Sequence, residues 1–446
     1  MIHEITIDQL QDMYEKKKIS VRELVQEYLN RIHQYDEGKL NSVLEINPDA
    51  LSYAEELDRN RNSGASKLYG LPILLKDNFD TADRMHTSNG SLALANSVAA
   101  KDAEIVATLR KKGAIFLGKT NMTEFANHMT NGMKSGYSSR GGLVLSPYKK
   151  GTDPSGSSTG SAVAVTSNFC TASFGTDTSG SIISPAIKNG IVGYRPSTGV
   201  LSQSGIIPVS FTLDTAGPMT RNVMDSAIIY SELTSKPLPT KTVYSELVVG
   251  IDQVTLSLLS AEEEKKVHTL TRCLKKKGVK IKYIKIPPTS TTYVSKISFY
   301  EFKHQINQYL KQLPDNYPIK SLKDIIEFNN QHPEETLVFG QTLFEQTQKS
   351  TSGEMTEAFY KKILQDREAT KNDTRKLLQD IDVCILFKTN LVLQYIGIAG
   401  ITIPHGLYND GSPFGIQLIG NDDLRLLKAA LSIEEIFGYR VPPKLS

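Results

Sequence analysis

The segment that most constrains this chain is residues 151–181, which consist largely of serine, threonine and glycine. Asp153 and Asp177 are its only charged residues. Such a composition is typical of a flexible linker, but two apolar stretches interrupt it. Residues 162–165 form a compact apolar run, and residues 169–174 have the pattern of a short buried strand. The segment is therefore predicted to be an ordered unit of turn, helix, strand and turn.

The two glycine-rich turns of this unit, residues 155–160 and 175–181, have the chemistry of a binding site. Glycine lets backbone approach backbone or a ligand closely, and it adopts dihedral angles that other residues avoid. Hydroxyl groups held on such turns can be aimed at a ligand, and successive backbone N–H groups can converge on an anion. We therefore expect the two turns to form the floor of an active site.

The length and composition are those of a globular protein, because 446 residues can bury a large core and 39% of them are apolar. The net charge of +3 gives no electrostatic reason to expect binding to nucleic acid or to a membrane surface. Three widely separated cysteines show no disulfide or zinc pattern, which favours a reducing cytoplasm. Neither a secretory signal nor a membrane-spanning segment is expected.

Helical and strand patterns alternate along much of the chain, which predicts an α/β fold built in layers. Strands are predicted at residues 71–75, 114–117, 190–196, 205–210, 248–252, 279–283, 383–387, 399–404 and 414–420. Helices are predicted at residues 7–17, 20–32, 47–60, 103–112, 226–233, 260–278 and 423–437. Residues 287–380 are polar and mostly helical in pattern, so we expect them to form a helical layer over the sheet.

Lys76 stands at the end of the apolar run at residues 71–75. Partial burial would favour its neutral amine, which could then act as a base. A serine hydroxyl needs such a base to become a nucleophile, and neither Ser-rich turn contains a histidine. A second serine can relay the proton, and the N–H groups beside Ser181 suit an oxyanion. The residues alone therefore indicate a serine hydrolase acting on an acyl substrate.

Three other motifs compete with this interpretation. Residues 113–120 match the phosphate-loop pattern, but a helix precedes them and strand formers fill their middle, so nucleotide binding is not expected there. Residues 146–149 fit S-x-x-K without its companion motifs. Residues 156–160 fit the G-x-S-x-G nucleophile elbow, although no strand precedes them. His405 or His332 could serve as the late histidine of that elbow, so this alternative stays open.

Five segments in the same order resemble the motifs of the amidase signature family. Residues 155–161 and 175–182 are similar to the two glycine- and serine-rich halves of its signature. Residues 70–77 resemble its G-x-P-x-x-x-K-D motif, residues 117–124 its L-G-K-T-N-x-x-E motif, and residues 214–221 its D-x-x-G-P-x-x-R motif. The resemblance spans most of the chain.

The resemblance implies an α/β fold, namely a single α/β/α domain over residues 1–446 with a mixed central sheet covered by helices. Residues 60–220 would hold the catalytic core, and residues 287–380 would be a helical excursion within the same domain. The resemblance implies neither a metal ion nor an organic cofactor.

Residue by residue, the resemblance implies a catalytic triad of Ser181, Ser157 and Lys76. Ser181 would be the nucleophile, Ser157 would relay the proton after a cis peptide bond, and Lys76 would be the general base. The N–H groups expected to form the oxyanion hole are those of Thr178, Ser179, Gly180 and Ser181. The residues expected to contact the substrate are Met129, Thr130 and Asn131.

The activity implied is hydrolysis of a carboxamide through an acyl-enzyme, with a small-molecule or peptide amide as substrate. Ile183 stands where the family often has arginine, and Ser155, Thr159 and Ser179 replace glycines. Residues 145–148 look more like those of stand-alone amidases, including peptide amidases, than like those of the ammonia-supplying component of glutamyl-tRNA amidotransferase.

Two alternatives remain. One is that amidotransferase component, which supplies ammonia to glutamyl-tRNA and is the only alternative with a nucleic-acid partner. The other is a catalytically inactive binding homologue. No membrane partner is expected, and the oligomeric state is left open.

Overall fold

The computed structural model describes residues 2–60, 66–287, 289 and 291–445. Within these ranges an eleven-stranded mixed sheet is flanked by helices, and a two-stranded hairpin lies apart from it. The strands are β1 Val43–Ile46, β2 Pro72–Lys76, β3 Ile115–Thr120, β4 Tyr137–Ser138, β5 Gly142–Leu143, β6 Ala172–Asp177, β7 Val192–Arg195, β8 Thr215–Thr220, β9 Val248–Asp252, β10 Lys280–Ile284, β11 Val383–Leu386, β12 Ala399–Leu407 and β13 Pro413–Gly420.

Sixteen α-helices lie in the described residues. They are α1 Ile7–Glu15, α2 Val21–Tyr35, α3 Ala50–Arg59, α4 Glu104–Lys111, α5 Thr159–Thr166, α6 Ile183–Lys188, α7 Val223–Thr234, α8 Gln253–Leu256, α9 Ala261–Lys276, α10 Thr291–Leu310, α11 Leu322–Gln331, α12 Pro333–Thr336, α13 Thr342–Ser350, α14 Ala358–Leu377, α15 Val392–Ile396 and α16 Asp423–Phe437. Among them, none is long and apolar enough to cross a membrane.

The sheet has the strand order β1-β3-β2-β6-β8-β7-β12-β13-β11-β9-β10. Strands β3, β2 and β6 run parallel, as do β11, β9 and β10, while the pairs between these groups are antiparallel. Both predicted features, the α/β class and the mixed sheet, are therefore confirmed. The sheet is continuous from the N-terminal to the C-terminal half of the chain.

Helix starts follow the sequence signals closely. Ser20 caps α2, accepting a hydrogen bond from the backbone N–H of Glu23, and the Glu23 side chain bonds back to the backbone of Ser20. This capping box satisfies N–H groups that the first turn of a helix leaves unpaired. Thr6 and Gln9 make the same arrangement at α1.

The turn, helix, strand and turn of residues 151–181 pack into the centre of the molecule. All eight residues of α5 are buried, so this helix is a core element rather than an amphipathic surface helix. Gly160 is required there, because a Cβ at this position would lie 2.3 Å from the carbonyl oxygens of Ser42 and Asn121. The small residues of α5 therefore allow the close packing that positions both glycine-rich turns.

Two strand predictions need correction. Strand β6 begins at Ala172, three residues later than the apolar pattern from residue 169 predicted. The predicted strand at residues 205–210 is wrong, because only Ile206 makes an isolated bridge, to Phe79. The N–H of Ile207 donates to the carbonyl oxygen of Asn78, and those of Val209 and Ser210 are bound by a carboxylate, as described below.

Helices α10–α14 occupy most of the segment between β10 and β11. Phe302, Ile306 and Phe344 from this segment pack in one apolar cluster with Phe125 and Met129. Stacked and edge-on aromatic contacts join Phe344 to Phe302 and Phe125. The helical segment is thereby attached to the loop that follows β3.

Candidate active site

Lys76 is buried inside the protein because β2, which it ends, lies between β3 and β6 and is buried throughout. Its Nζ donates hydrogen bonds to Ser157 Oγ and Thr176 Oγ1, both at 2.8 Å. Burial lowers the pKa of Lys76 to about 7, although the carboxylates of Asp177 and Asp214 oppose the shift. Near neutral pH a large fraction of this amine is therefore uncharged.

Ser157 lies on the first glycine-rich turn, and the Gly156–Ser157 peptide bond is cis. The side chain is 1% exposed. The carbonyl oxygen of Ser157 accepts a hydrogen bond of 3.1 Å from the N–H of Thr123. Gly156 has no space for a side chain, since a Cβ there would lie 2.4 Å from Thr123 Oγ1. The residues after β3 therefore hold Ser157 against Lys76.

Ser181 ends the second glycine-rich turn and is 7% exposed. The two turns are joined by a hydrogen bond of 3.3 Å from the N–H of Ser158 to the carbonyl oxygen of Ser181. Gly180 has a φ of 105°, which other residues rarely adopt. The turn thus places Ser181 beside the first turn and leaves its side chain slightly accessible.

Asp177 fixes the backbone of the second turn through hydrogen bonds to its carboxylate. Its carboxylate accepts hydrogen bonds from the N–H groups of Gly180 and Ile182, each at 2.9 Å. The N–H of Gly180, one of the four expected in the oxyanion hole, is therefore engaged by this carboxylate. In the described part of the chain, the N–H groups of Thr178, Ser179 and Ser181 have no such acceptor.

A buried cation faces the carboxylate of Asp177. Arg195 Nε lies 3.4 Å from Asp177 Oδ1, and both side chains are fully buried. Gln394 Nε2 donates to the same oxygen at 3.1 Å. Sequence reasoning missed this pairing: Ile183 replaces the arginine common in the family's motif, and nothing local indicated that Arg195, from β7, reaches Asp177.

Asp214 binds the second turn through the side chain of Thr178. Thr178 Oγ1 donates a hydrogen bond of 2.6 Å to Asp214 Oδ1. The N–H groups of Val209 and Ser210 donate to its other oxygen, so these two residues need no strand partner. Burial raises the pKa of Asp214 to about 6, so the group is largely ionised at neutral pH.

A cavity of about 470 Å³ opens above these groups. Ser157, Thr178, Ser179 and Ser181 line its floor. Its walls include Asn127, His128, Asn131 and Ser135 after β3, together with Val294, Lys296 and Phe299 of α10 and Leu343 and Gln346 of α13. The helical segment therefore contributes one wall of the cavity that contains the two serines.

Of the three residues expected to contact substrate, one lines the cavity and two do not. Asn131 lines the cavity. Met129 is fully buried, and its carbonyl oxygen accepts hydrogen bonds from the N–H groups of Leu343 and Phe344. Thr130 Oγ1 donates to the carbonyl oxygen of Phe339 at 3.2 Å. Met129 and Thr130 therefore attach the helical segment and do not line the cavity.

The competing motifs have other roles. Ser158, the centre of the elbow pattern, is fully buried and donates to the carbonyl oxygen of Thr176 at 3.1 Å, so it is not presented to a substrate. Lys119 of the phosphate-loop pattern lies within β3 and donates to the carbonyl oxygen of Phe79 at 2.6 Å. Within the described ranges, no cluster of His, Cys, Asp and Glu could hold a metal ion.

Comparison with known proteins places the chain among amidases. Residues 23–389 match the protein family described as Amidase. A probable amidase of Arabidopsis thaliana is 34% identical, over 99% of this chain and 92% of its own length. The native peptide amidase from Stenotrophomonas maltophilia has a TM-score of 0.90 at 31% identity, covering 100% of this chain and 99% of its own.

The amidotransferase also provides a relative of full length. The A component of the glutamyl-tRNA(Gln) amidotransferase of Methylobacillus flagellatus is 31% identical, over 97% of this chain and 96% of its own length. Both amidases and amidotransferase components are therefore similar to this chain from end to end.

Proposed function

Since this chain belongs to the Amidase family and is an amide-hydrolysing enzyme, we propose that it acts through Ser181 as nucleophile, Ser157 as proton relay and Lys76 as base. The observation that carries the proposal is the hydrogen bond of 2.8 Å between Lys76 Nζ and Ser157 Oγ. Ser157 and Ser181 also line one cavity, which a substrate could enter.

In the first step the neutral amine of Lys76 accepts the proton of Ser157 Oγ, while Ser157 Oγ accepts the proton of Ser181. The freed Ser181 oxygen attacks the amide carbon. The negative charge moves to the substrate oxygen, where the N–H groups of Thr178, Ser179 and Ser181 stabilise it. Asp177 contributes indirectly by fixing this turn through the N–H of Gly180.

In the second step the proton held by Lys76 returns through Ser157 to the leaving nitrogen, and the C–N bond breaks. Ammonia or an amine departs, and the acyl group remains esterified to Ser181. Water then attacks the ester with the same proton path in use, releasing the acid and restoring the Ser181 hydroxyl. A base with a pKa of about 7 suits both directions of transfer at neutral pH.

The substrate class we propose is a small-molecule or peptide amide. Similarity to the peptide amidase over the whole chain supports it. We also propose that residues 1–446 form one domain with its catalytic core at residues 60–220, because the single large sheet joins both halves. The free cysteines Cys170, Cys273 and Cys384 are consistent with a cytoplasmic location.

The test is hydrolysis of peptide amides, aromatic amides and glutamine by the wild type and by Ser181→Ala. We expect Ser181→Ala to lose at least about 10⁴-fold in kcat/KM. Ser257→Ala, at an exposed position after α8, is the matched control and should retain full activity. Equal turnover by Ser181→Ala and wild type would refute the assignment of the nucleophile.

The second candidate function is that of the ammonia-supplying component of an amidotransferase, favoured by the full-length similarity to the Methylobacillus protein. It predicts that the protein co-purifies with partner chains and forms amide on a transfer RNA only when glutamine is supplied. Hydrolysis of peptide amides by the isolated chain, without partners, favours the stand-alone amidase. Failure of a sulfonyl fluoride to label Ser181 would instead indicate an inactive homologue.

A further inference from the structure

Lys296 is a charged side chain in the wall of the catalytic cavity. We propose that it makes the cavity select amides that carry a carboxylate, such as acidic peptide amides. The inference rests on the proposed function, because it specifies the substrate of the same site.

The charge of the cavity wall is one-sided. Lys296 lines the cavity together with Ser157, Thr178 and Ser181, and the described residues of the lining include no aspartate or glutamate. His128 also lines it, but burial lowers the pKa of this imidazole to about 4, so it is neutral at pH 7. The described lining therefore presents one positive charge and no negative charge at neutral pH.

The ammonium group of Lys296 is available to a ligand. Its Nζ lies 4.9 Å from the centre of the Phe299 ring, one turn further along α10. Among the described residues it has no carboxylate partner within salt-bridge distance, and its side chain is half-buried. Lys303 on the same helix differs, because it donates to the carbonyl oxygens of Gln348 and Thr351 at 3.0 and 2.9 Å.

One carboxylate lies at the rim without lining the cavity. Asp153 is exposed, and it accepts hydrogen bonds from the Ser135 hydroxyl at 3.2 Å and from the N–H of Ser155 at 2.7 Å. Both donors line the cavity. Asp153 therefore weakens the positive potential at one side of the opening. Removing its charge should strengthen the preference for acidic amides, whereas removing the charge of Lys296 should weaken it.

Physical chemistry sets the expected size of the selection. A half-buried ammonium attracts a nearby carboxylate and repels a cation, but solvent screening keeps the effect modest. We expect a preference of about three- to tenfold in kcat/KM for an acidic over an isosteric neutral amide. The long, flexible lysine stem lets the charge reach carboxylates at more than one distance from the amide.

The experiment compares acetyl-Glu-Ala-amide, acetyl-Gln-Ala-amide and acetyl-Lys-Ala-amide as substrates of the wild type, Lys296→Met and Asp153→Asn. Methionine keeps the packing on Phe299 and removes the charge. The control is Lys311→Met, an exposed lysine just after α10 that does not line the cavity. Binding of the same three amides to Ser181→Ala is measured in parallel, so that the result does not depend on turnover.

We expect the wild type to prefer the Glu substrate, Lys296→Met to reduce the Glu/Gln ratio to about one, and Asp153→Asn to raise it. Lys311→Met should leave the ratio unchanged. Higher salt should shrink the wild-type ratio. Hydrolysis of all three amides with no charge preference, or an equal ratio in wild type and Lys296→Met, overturns the inference alone. Absence of both hydrolysis and binding overturns the proposed function with it.

Discussion

The catalytic core and the cavity wall formed by the helical segment differ in how they hold lysine and arginine side chains. In the core, Lys76, Asp177 and Arg195 are fully buried and paired with other buried groups. In the helical segment, Glu301 of α10 is also buried and hydrogen-bonded, but Lys296, in the cavity wall, has no carboxylate partner among the described residues. Rigid, paired polar groups suit bond chemistry, whereas an unpaired charge on a separate layer suits recognition.

Of the substitutions that test this contrast, replacement of Lys76 is expected to lower activity most. We predict that Lys76→Met loses about 10³- to 10⁴-fold in kcat, because Ser157, the proposed relay, would have no base. Unfolding in urea should show that the variant still folds, since the substitution replaces a buried amine with an apolar group of similar length.

The matched control is Lys119→Met, in the neighbouring strand. Lys119 is equally buried, but it donates hydrogen bonds to Phe79 and Thr87 rather than to Ser157 or Ser181. Its loss should lower stability more than activity per folded molecule. If both lysine variants lost activity equally while remaining folded, burial rather than the proton path would explain the result.

Removal of Arg195 tests whether the pairing of polar groups holds the core. Arg195→Met leaves the carboxylate of Asp177 buried without its cation, which should lower the free energy of unfolding by about 3–5 kcal/mol. Arg195→Lys keeps the charge and should cost less. Chemical denaturation at neutral pH measures both, and an unchanged midpoint for Arg195→Met would show that the pair carries little of the stability.

The pH dependence of kcat/KM tests whether Lys76 must be uncharged for the reaction. Burial depresses the pKa of Lys76 to about 7, so the neutral amine is lost as pH falls through that value. We predict activity that falls about tenfold per pH unit below pH 7 and levels off above about pH 8. A flat profile across neutral pH, in protein that remains folded, would contradict a lysine base.

The smallest effect is expected in the helical segment. Gln346 lines the cavity from α13, and in the described structure it makes no hydrogen bond to Ser157 or Ser181. Gln346→Ala should change KM by about two- to fivefold and leave kcat on a small amide nearly constant. Steady-state kinetics on a short and a long peptide amide would separate kcat from KM. A large fall in kcat would contradict the assignment of Gln346 to substrate binding alone.

Much of the core could be predicted from the sequence, because its signals are local. The apolar run ahead of Lys76 predicted a buried strand that ends in lysine, and the helical pattern from residue 20 predicted the start of α2. Contacts between distant segments were not predictable. Arg195 reaches Asp177 through the strand order, and the wrong strand prediction at residues 205–210 reflects a side chain, Asp214, that binds the backbone there.

The helical segment was predicted as a helical layer over the sheet, without the residues that attach it or line the cavity. Its position over the cavity depends on how Met129 and Thr130 bind the residues at the start of α13, which no periodicity in the sequence reveals. The resemblance implied Met129, Thr130 and Asn131 together as substrate contacts, whereas side-chain direction decides which residue of a loop lines a cavity, and of these three Asn131 does.

The most direct test of the proton path is the rate at which a sulfonyl fluoride labels Ser181, followed by peptide mass mapping from about pH 5 to about pH 9. We predict labelling of Ser181 in the wild type at a rate that rises through pH 7. In Lys76→Met the rate should be at least about 100-fold lower and lack that rise. Equal labelling rates and pH profiles in the two proteins would contradict a path from Ser181 through Ser157 to Lys76.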